Sequence, residues 1–120
     1  MPGASYVLTP TARRQLREAK AWSLARWAPQ LTESYFHDLE KAALHLAANY
    51  ARYTKRKDMT GETGLCLYPA REHYFVYEPL TDRKIAIVAL IRQGRDIPAL
   101  LSRHAPLFRR ELDKIRNKRR

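Results

Sequence analysis

The sequence predicts an α+β domain: an N-terminal strand, a helical hairpin, and then a three-stranded antiparallel meander. Two observations carry this expectation. Leu31, Tyr35, Leu39, Ala42, Leu46 and Tyr50 repeat at three- and four-residue steps, the period of a helix with one buried stripe. Downstream, Gly64–Tyr68, His73–Glu78 and Lys84–Arg92 are rich in β-branched, aromatic and leucine residues and are separated by turns of hairpin length.

Ser5–Leu8 is a short β-prone run. Thr9 supplies an N-cap hydroxyl, and Pro10 suits the first helical turn, where its missing N–H does no harm. The first helix is expected from Thr11 to about Trp27, with Ala12, Leu16, Ala19 and Trp22 on its buried face. Pro29 ends it and opens the second helix. So short a break folds the two back as a hairpin, and the pair needs a sheet to cover its apolar faces.

Residues from Arg52 to Gly64 read as a loop, with a solvated basic run at Lys55–Lys57 and turn glycines at Gly61 and Gly64. The last strand has no polar face. Strict alternation puts Ile85, Ile87, Ala89 and Ile91 on one side and Ala86, Val88 and Leu90 on the other, so this strand belongs inside a sheet covered on both sides. Ile97–Leu101 suggests one helical turn. From Ala105 a basic helix or tail follows, with Phe108, Leu112 and Ile115 on one face. The expected division is a domain over 1–104 and a basic C-terminal helix or tail over 105–120.

The formal charge of the 120-residue chain is +11, from 23 Lys and Arg against 12 Asp and Glu. That balance attracts anionic partners and says little about fold. A lone cysteine, Cys66, excludes an internal disulfide framework. The first residues lack the charged head and apolar run of a signal peptide, and no stretch approaches the length of a membrane span, so a cytoplasmic location is expected. His37, His45, His73 and His104 show no metal-ligand spacing, no glycine-rich phosphate loop is present, and no cofactor is expected. Cys66 in mid-strand reads as a buried, inert thiol.

One constellation stands out. Arg71 precedes the second strand of the meander, His73 and Tyr77 share a face of that strand with Phe75, and Arg92 and Arg95 follow at the exit of the third. Antiparallel pairing brings Arg71, His73, Arg92 and Arg95 to one edge, where guanidinium groups can hold phosphate or carboxylate. The alternative is that the arginines are solvated strand ends and that His73 and Tyr77 belong to the core.

The order of elements, with the ending Arg92-Gln93-Gly94-Arg95-Asp96, resembles the RelE/ParE toxins of type II toxin–antitoxin systems. Trp27 to Ala47 is similar to the second helix of ParE members. Gly64 to Tyr77 is similar to their strand pair, with its Gly, Arg and His-x-x-x-Tyr, and Ile87 to Asp96 to their final strand. The resemblance implies a toxin silenced by an acidic cognate antitoxin, which would dock at the sheet edge and along the helical hairpin. It also separates two activities. RelE members cleave messenger RNA on the ribosome with strand lysines and arginines. Here the first strand of the meander has no lysine, and the strand arginine position falls on Tyr74. Arg95 matches a basic position, and Arg92 stands where ParE members often carry histidine.

The resemblance therefore implies a ParE-like toxin that inhibits DNA gyrase by protein contacts. Arg71, His73, Tyr77, Arg92 and Arg95 would be its target or antitoxin contacts, with no catalytic residue, small-molecule substrate or membrane involved. The alternative is a RelE-like ribosome-dependent endonuclease acting through Arg71, His73, Arg92 and Arg95. A third reading gives the basic tail a direct contact with nucleic acid.

Overall fold

The computed structural model describes residues 3–53, 57–81 and 83–118. Most of the basic run at Lys55–Lys57, and Arg119 and Arg120 of the tail, lie outside the described residues. Strand β1 (Ser5–Leu8) leads to α1 (Pro10–Arg26) and α2 (Pro29–Asn49). The segment expected as loop contains 3-10 turns at Tyr50–Arg52 and Gly61–Thr63 on either side of a short helix α3 (Lys57–Thr60). Then come β2 (Cys66–Ala70), β3 (His73–Thr81), β4 (Lys84–Arg92) and α4 (Ile97–Lys118). None of the described helices is long and apolar enough to cross a membrane.

The sheet order is β1-β4-β3-β2, with β1 parallel to β4 and the other pairs antiparallel. The meander is therefore as expected, with the N-terminal strand as its fourth member. β2 begins at Cys66 rather than Gly64, because Gly64 takes the left-handed conformation (φ 77°) and closes the turn before it.

The doubly apolar β4 is covered on both faces. The α1–α2 hairpin packs Ala12, Tyr35, Leu39 and Leu46 against Phe75, Tyr77, Ile85 and Ile87. On the other face α4 packs Ile97, Leu101, Phe108 and Leu112 against Val76, Ala86, Val88 and Ile91. The turn expected at Ile97–Leu101 and the helix or tail expected from Ala105 are one continuous helix that closes this second core. Pro106 stands inside it rather than at its start. The carbonyl it leaves without a helical donor belongs to exposed Ser102, which water can satisfy.

Two expected core positions are exposed. Trp22 is 42% and Leu31 62% accessible, and they flank the hairpin turn. The buried stripe of α2 runs through Tyr35, Leu39, Ala43 and Leu46.

Strict alternation along β4 also fails, for an identifiable reason. Val76 pairs with Ala89 and Tyr77 with Ile87, which leaves Val88 as an extra residue, a β-bulge. Past it the faces exchange. Leu90 joins the hairpin-side core, and Ala89 and Ile91 join the α4 side. α1 secures the irregularity. The buried Thr9 hydroxyl donates to the Val88 carbonyl (3.2 Å) and accepts from Ala12 N–H (3.2 Å), so the helix cap is also the bulge clamp. Gln15 Oε1 accepts from Leu90 N–H at 2.8 Å.

α4 is fastened at its far end by charge. The Glu78 carboxylate, 14% exposed, receives Arg109 at 2.6 Å and also Arg116. Arg109 donates as well to the Thr63 carbonyl, passing over Gly64. A Cβ on Gly64 would lie 2.7 Å from the Arg109 guanidinium. Gly64→Ala is therefore expected to lower stability by about 1–3 kcal/mol, from left-handed strain and a displaced Arg109. A urea-unfolding midpoint indistinguishable from that of the unaltered chain would refute this account.

Candidate functional site

The bulge decides where Arg92 points. Without it, Arg92 would fall on the α4 face; with it, Arg92 pairs directly across from His73 on the hairpin face. The turn between β2 and β3 consists of Arg71 and Glu72, since Ala70 pairs with His73. Arg71 adopts a positive φ of 56°, a conformation that costs a non-glycine residue roughly 1 kcal/mol or more. Hydrogen bonds hold it there. Gln93 Nε2 donates to the carbonyls of Arg71 and His73, both at 3.0 Å, and Gln93 N–H donates to the Glu72 carbonyl at 2.9 Å. Glu72 N–H donates to the Tyr35 hydroxyl at 3.1 Å.

Tyr35 is the centre of this arrangement. Its oxygen lies 2.6 Å from His73 Nδ1. That oxygen also accepts from Glu72 N–H, so Tyr35 ties His73 Nδ1 to the β2–β3 turn whichever tautomer the imidazole adopts. Burial, reinforced by the nearby Arg92 charge, holds the His73 pKa below its ordinary value, and Glu72 opposes this only in part. Burial likewise raises the Tyr35 hydroxyl. Arg71 lies with its Cζ 5.0 Å above the Tyr35 ring and 3.6 Å from Asp38, an exposed pair of little energetic weight.

These residues border a cleft of about 540 Å³ between α1, the end of β4 and the first half of α4, lined by Trp22, Trp27, Tyr35, His73, Arg92 and Arg95 among others. The structure thus brings His73, Arg92 and Arg95 to one cleft and sets Arg71 beside it, across Tyr35. Tyr77 is not among them. It is 3% exposed, in the hairpin-side core opposite Cys66 and Ile87. Tyr74, the position of a nuclease arginine in the RelE comparison, packs on the opposite, α4 face.

Sequence reasoning missed Gln93, whose role needs the register between β3 and β4, and the aromatic wall of Trp22, Trp27 and Tyr35. Trp22 and Tyr35 both fall on helical stripes that periodicity marks as buried; their place beside the rim follows from where those stripes meet the end of β4.

A small α+β domain with a rigid basic and aromatic rim at the exit of its central strand is the class of protein defined here. The family model described as ParE toxin of type II toxin–antitoxin system, parDE, matches residues 6–97, and the chain belongs to that family. A solved structure described as the chromosomal ParDE TA system from P. aeruginosa is similar in fold. Its TM-score is 0.61 at 13% identity, covering 74% of this chain and 95% of that one. No curated protein matches the chain.

The depressed His73 value sets a pH dependence. A histidine kept neutral by the fold opposes protonation, so its contribution is intact above about pH 6.5 and is lost as pH falls below that. Stability measured by urea unfolding is expected to decline between neutral pH and pH 5, with a shallower decline in His73→Gln. Parallel pH profiles for the two proteins would exclude His73 as the cause.

Proposed function

We propose that this chain is a ParE-type toxin that inhibits DNA gyrase through protein contacts in the cytoplasm and is held silent by an acidic cognate antitoxin. The observation that carries the toxin reading is the family match over residues 6–97, which spans every strand and the whole rim. The character of the rim supports contact rather than catalysis. Cleavage of RNA needs a proton acceptor and a stabiliser of developing phosphorane charge placed together. Here His73 Nδ1 is already hydrogen-bonded to Tyr35 at 2.6 Å, and Tyr74 is on the other face. Arg92 and Arg95 remain as exposed cations at the cleft, suited to a carboxylate-bearing protein surface.

An antitoxin of opposite charge fits the +11 surface and would be steered to it at low salt. The edge strands β1 and β2 and the groove between α1 and α2 are the places where an added strand or helix can dock.

Expression without the antitoxin is expected to induce the DNA-damage response and to accumulate cleaved gyrase–DNA complexes. Arg92→Ala and Arg95→Ala, checked for folding by circular dichroism, should each weaken gyrase capture by roughly tenfold or more, as loss of an interface arginine does. Prompt translation arrest with gyrase untouched would overturn the proposal in favour of a ribosome-dependent nuclease. Co-expression with the small acidic protein of the adjacent reading frame should restore growth and yield a complex; failure of both would remove the antitoxin from the account.

A further inference from the structure

The mouth of the cleft holds chemistry that the gyrase reading does not use. Both of the chain's two tryptophans stand there, Trp22 at 42% and Trp27 at 37% exposure. Their rings meet edge to face, with centroids 5.8 Å apart and planes at 86°. Trp27 continues to Tyr35 at 6.1 Å, and Tyr35 to His73 at 5.7 Å. Guanidinium groups lie over Trp22, Arg26 at 4.2 Å and Arg92 at 5.6 Å from its centroid. Arg95 adds a second cation to the wall beyond Arg92. Partly exposed indole rings beside guanidinium groups suit a planar ring tethered to an anion, which would displace the Arg92 guanidinium from Trp22 as that arginine turns to the phosphate. The cleft of about 540 Å³ admits one such ring and its tether.

Two classes of macromolecule carry anionic groups to such a place, acidic peptides and nucleic acids. The walls discriminate between them. Glu18 and Glu72 also line the cleft. They repel phosphate and carboxylate alike, but they can accept hydrogen bonds from the exocyclic amino groups of bases, which aspartate and glutamate side chains do not offer. Peptides rich in aspartate and glutamate offer no flat ring for the two indoles to meet.

We propose that this cleft binds an unpaired nucleobase of single-stranded nucleic acid, stacked against Trp22 and Trp27, with the adjoining phosphate on Arg92 and Arg95. The proposal shares Arg92 and Arg95 with the gyrase reading but adds Trp22 and Trp27, so the tryptophan variants separate the two.

The two tryptophans make the test direct, since the tryptophan fluorescence of the whole chain comes from the walls of the cleft. The purified protein is titrated at low salt with a six-nucleotide adenine oligodeoxynucleotide, its RNA counterpart, an abasic oligomer carrying the same phosphates, and hexaglutamate. Base-bearing oligomers should quench the fluorescence and bind at least about tenfold more tightly than the abasic one, the loss expected for one stacked base. The tighter of the DNA and RNA arms identifies the sugar.

Trp22→Leu should weaken binding by about tenfold, Trp22→Phe should retain most of it, and Arg92→Gln should lower both the affinity and the salt dependence. Should Trp22→Leu fail to fold, Trp27→Leu and Arg92→Gln carry the comparison. Equal binding of the abasic oligomer or of hexaglutamate would overturn the proposal, and so would the absence of quenching by every oligomer.

Discussion

The site depends on a single extra residue in the central strand. Val88 bulges from β4, and the Thr9 hydroxyl holds its carbonyl at 3.2 Å. From that irregularity follows the exchange of faces that sends Leu90 toward the hairpin, Ile91 toward α4, and Arg92 across from His73. A bulge in a fully buried strand is costly unless the backbone groups it frees find partners. Here α1 supplies them. Thr9 and Gln15 stand where β1, only four residues long, no longer reaches, so the N-terminal strand, the first helix and the basic rim form one construction.

The same dependence explains why the rim is rigid. Arg71 occupies an unfavourable backbone conformation, yet Gln93 and Tyr35 hold the turn around it from both sides. A preorganised surface loses less side-chain freedom on meeting a partner, which favours recognition by contact. Tyr35 connects the levels. It is buried in the hairpin-side core, it anchors His73 through Nδ1, it lies under the Arg71 guanidinium, and it adjoins Trp27.

Much of this was legible in the residues. The meander, the N-terminal strand, the Thr9 cap and the double coverage of β4 follow from patterns that local physics enforces, and so does the gathering of His73, Arg92 and Arg95. The bulge was not legible. Val88 lies in an unbroken apolar run, and nothing in Ile85–Ile91 distinguishes the supernumerary residue; only pairing with β3 does. Trp22 and Leu31 obey helical periodicity yet lie open, because periodicity says which face is apolar and not where the covering sheet ends. Tyr77 shares a face with His73, but it stands deeper along the strand, where that face is core. The sequence reads α4 as one turn and a separate basic helix or tail, because proline ordinarily opens a helix; an exposed carbonyl one turn earlier lets it stand inside one.

That last helix has two unlike attachments. Before Pro106 it is held by Ile97 and Leu101, both essentially buried in the apolar layer. Beyond it, Phe108 and Leu112 still reach that layer, but Arg109 and Arg116 add a fastening to one carboxylate, Glu78. Burial is nearly indifferent to ionic strength, whereas partly exposed charge pairs weaken as salt screens them. The two halves of α4 therefore answer to different solvents, so the ionic medium alone can slacken the C-terminal turns while the segment next to the cleft keeps its grip.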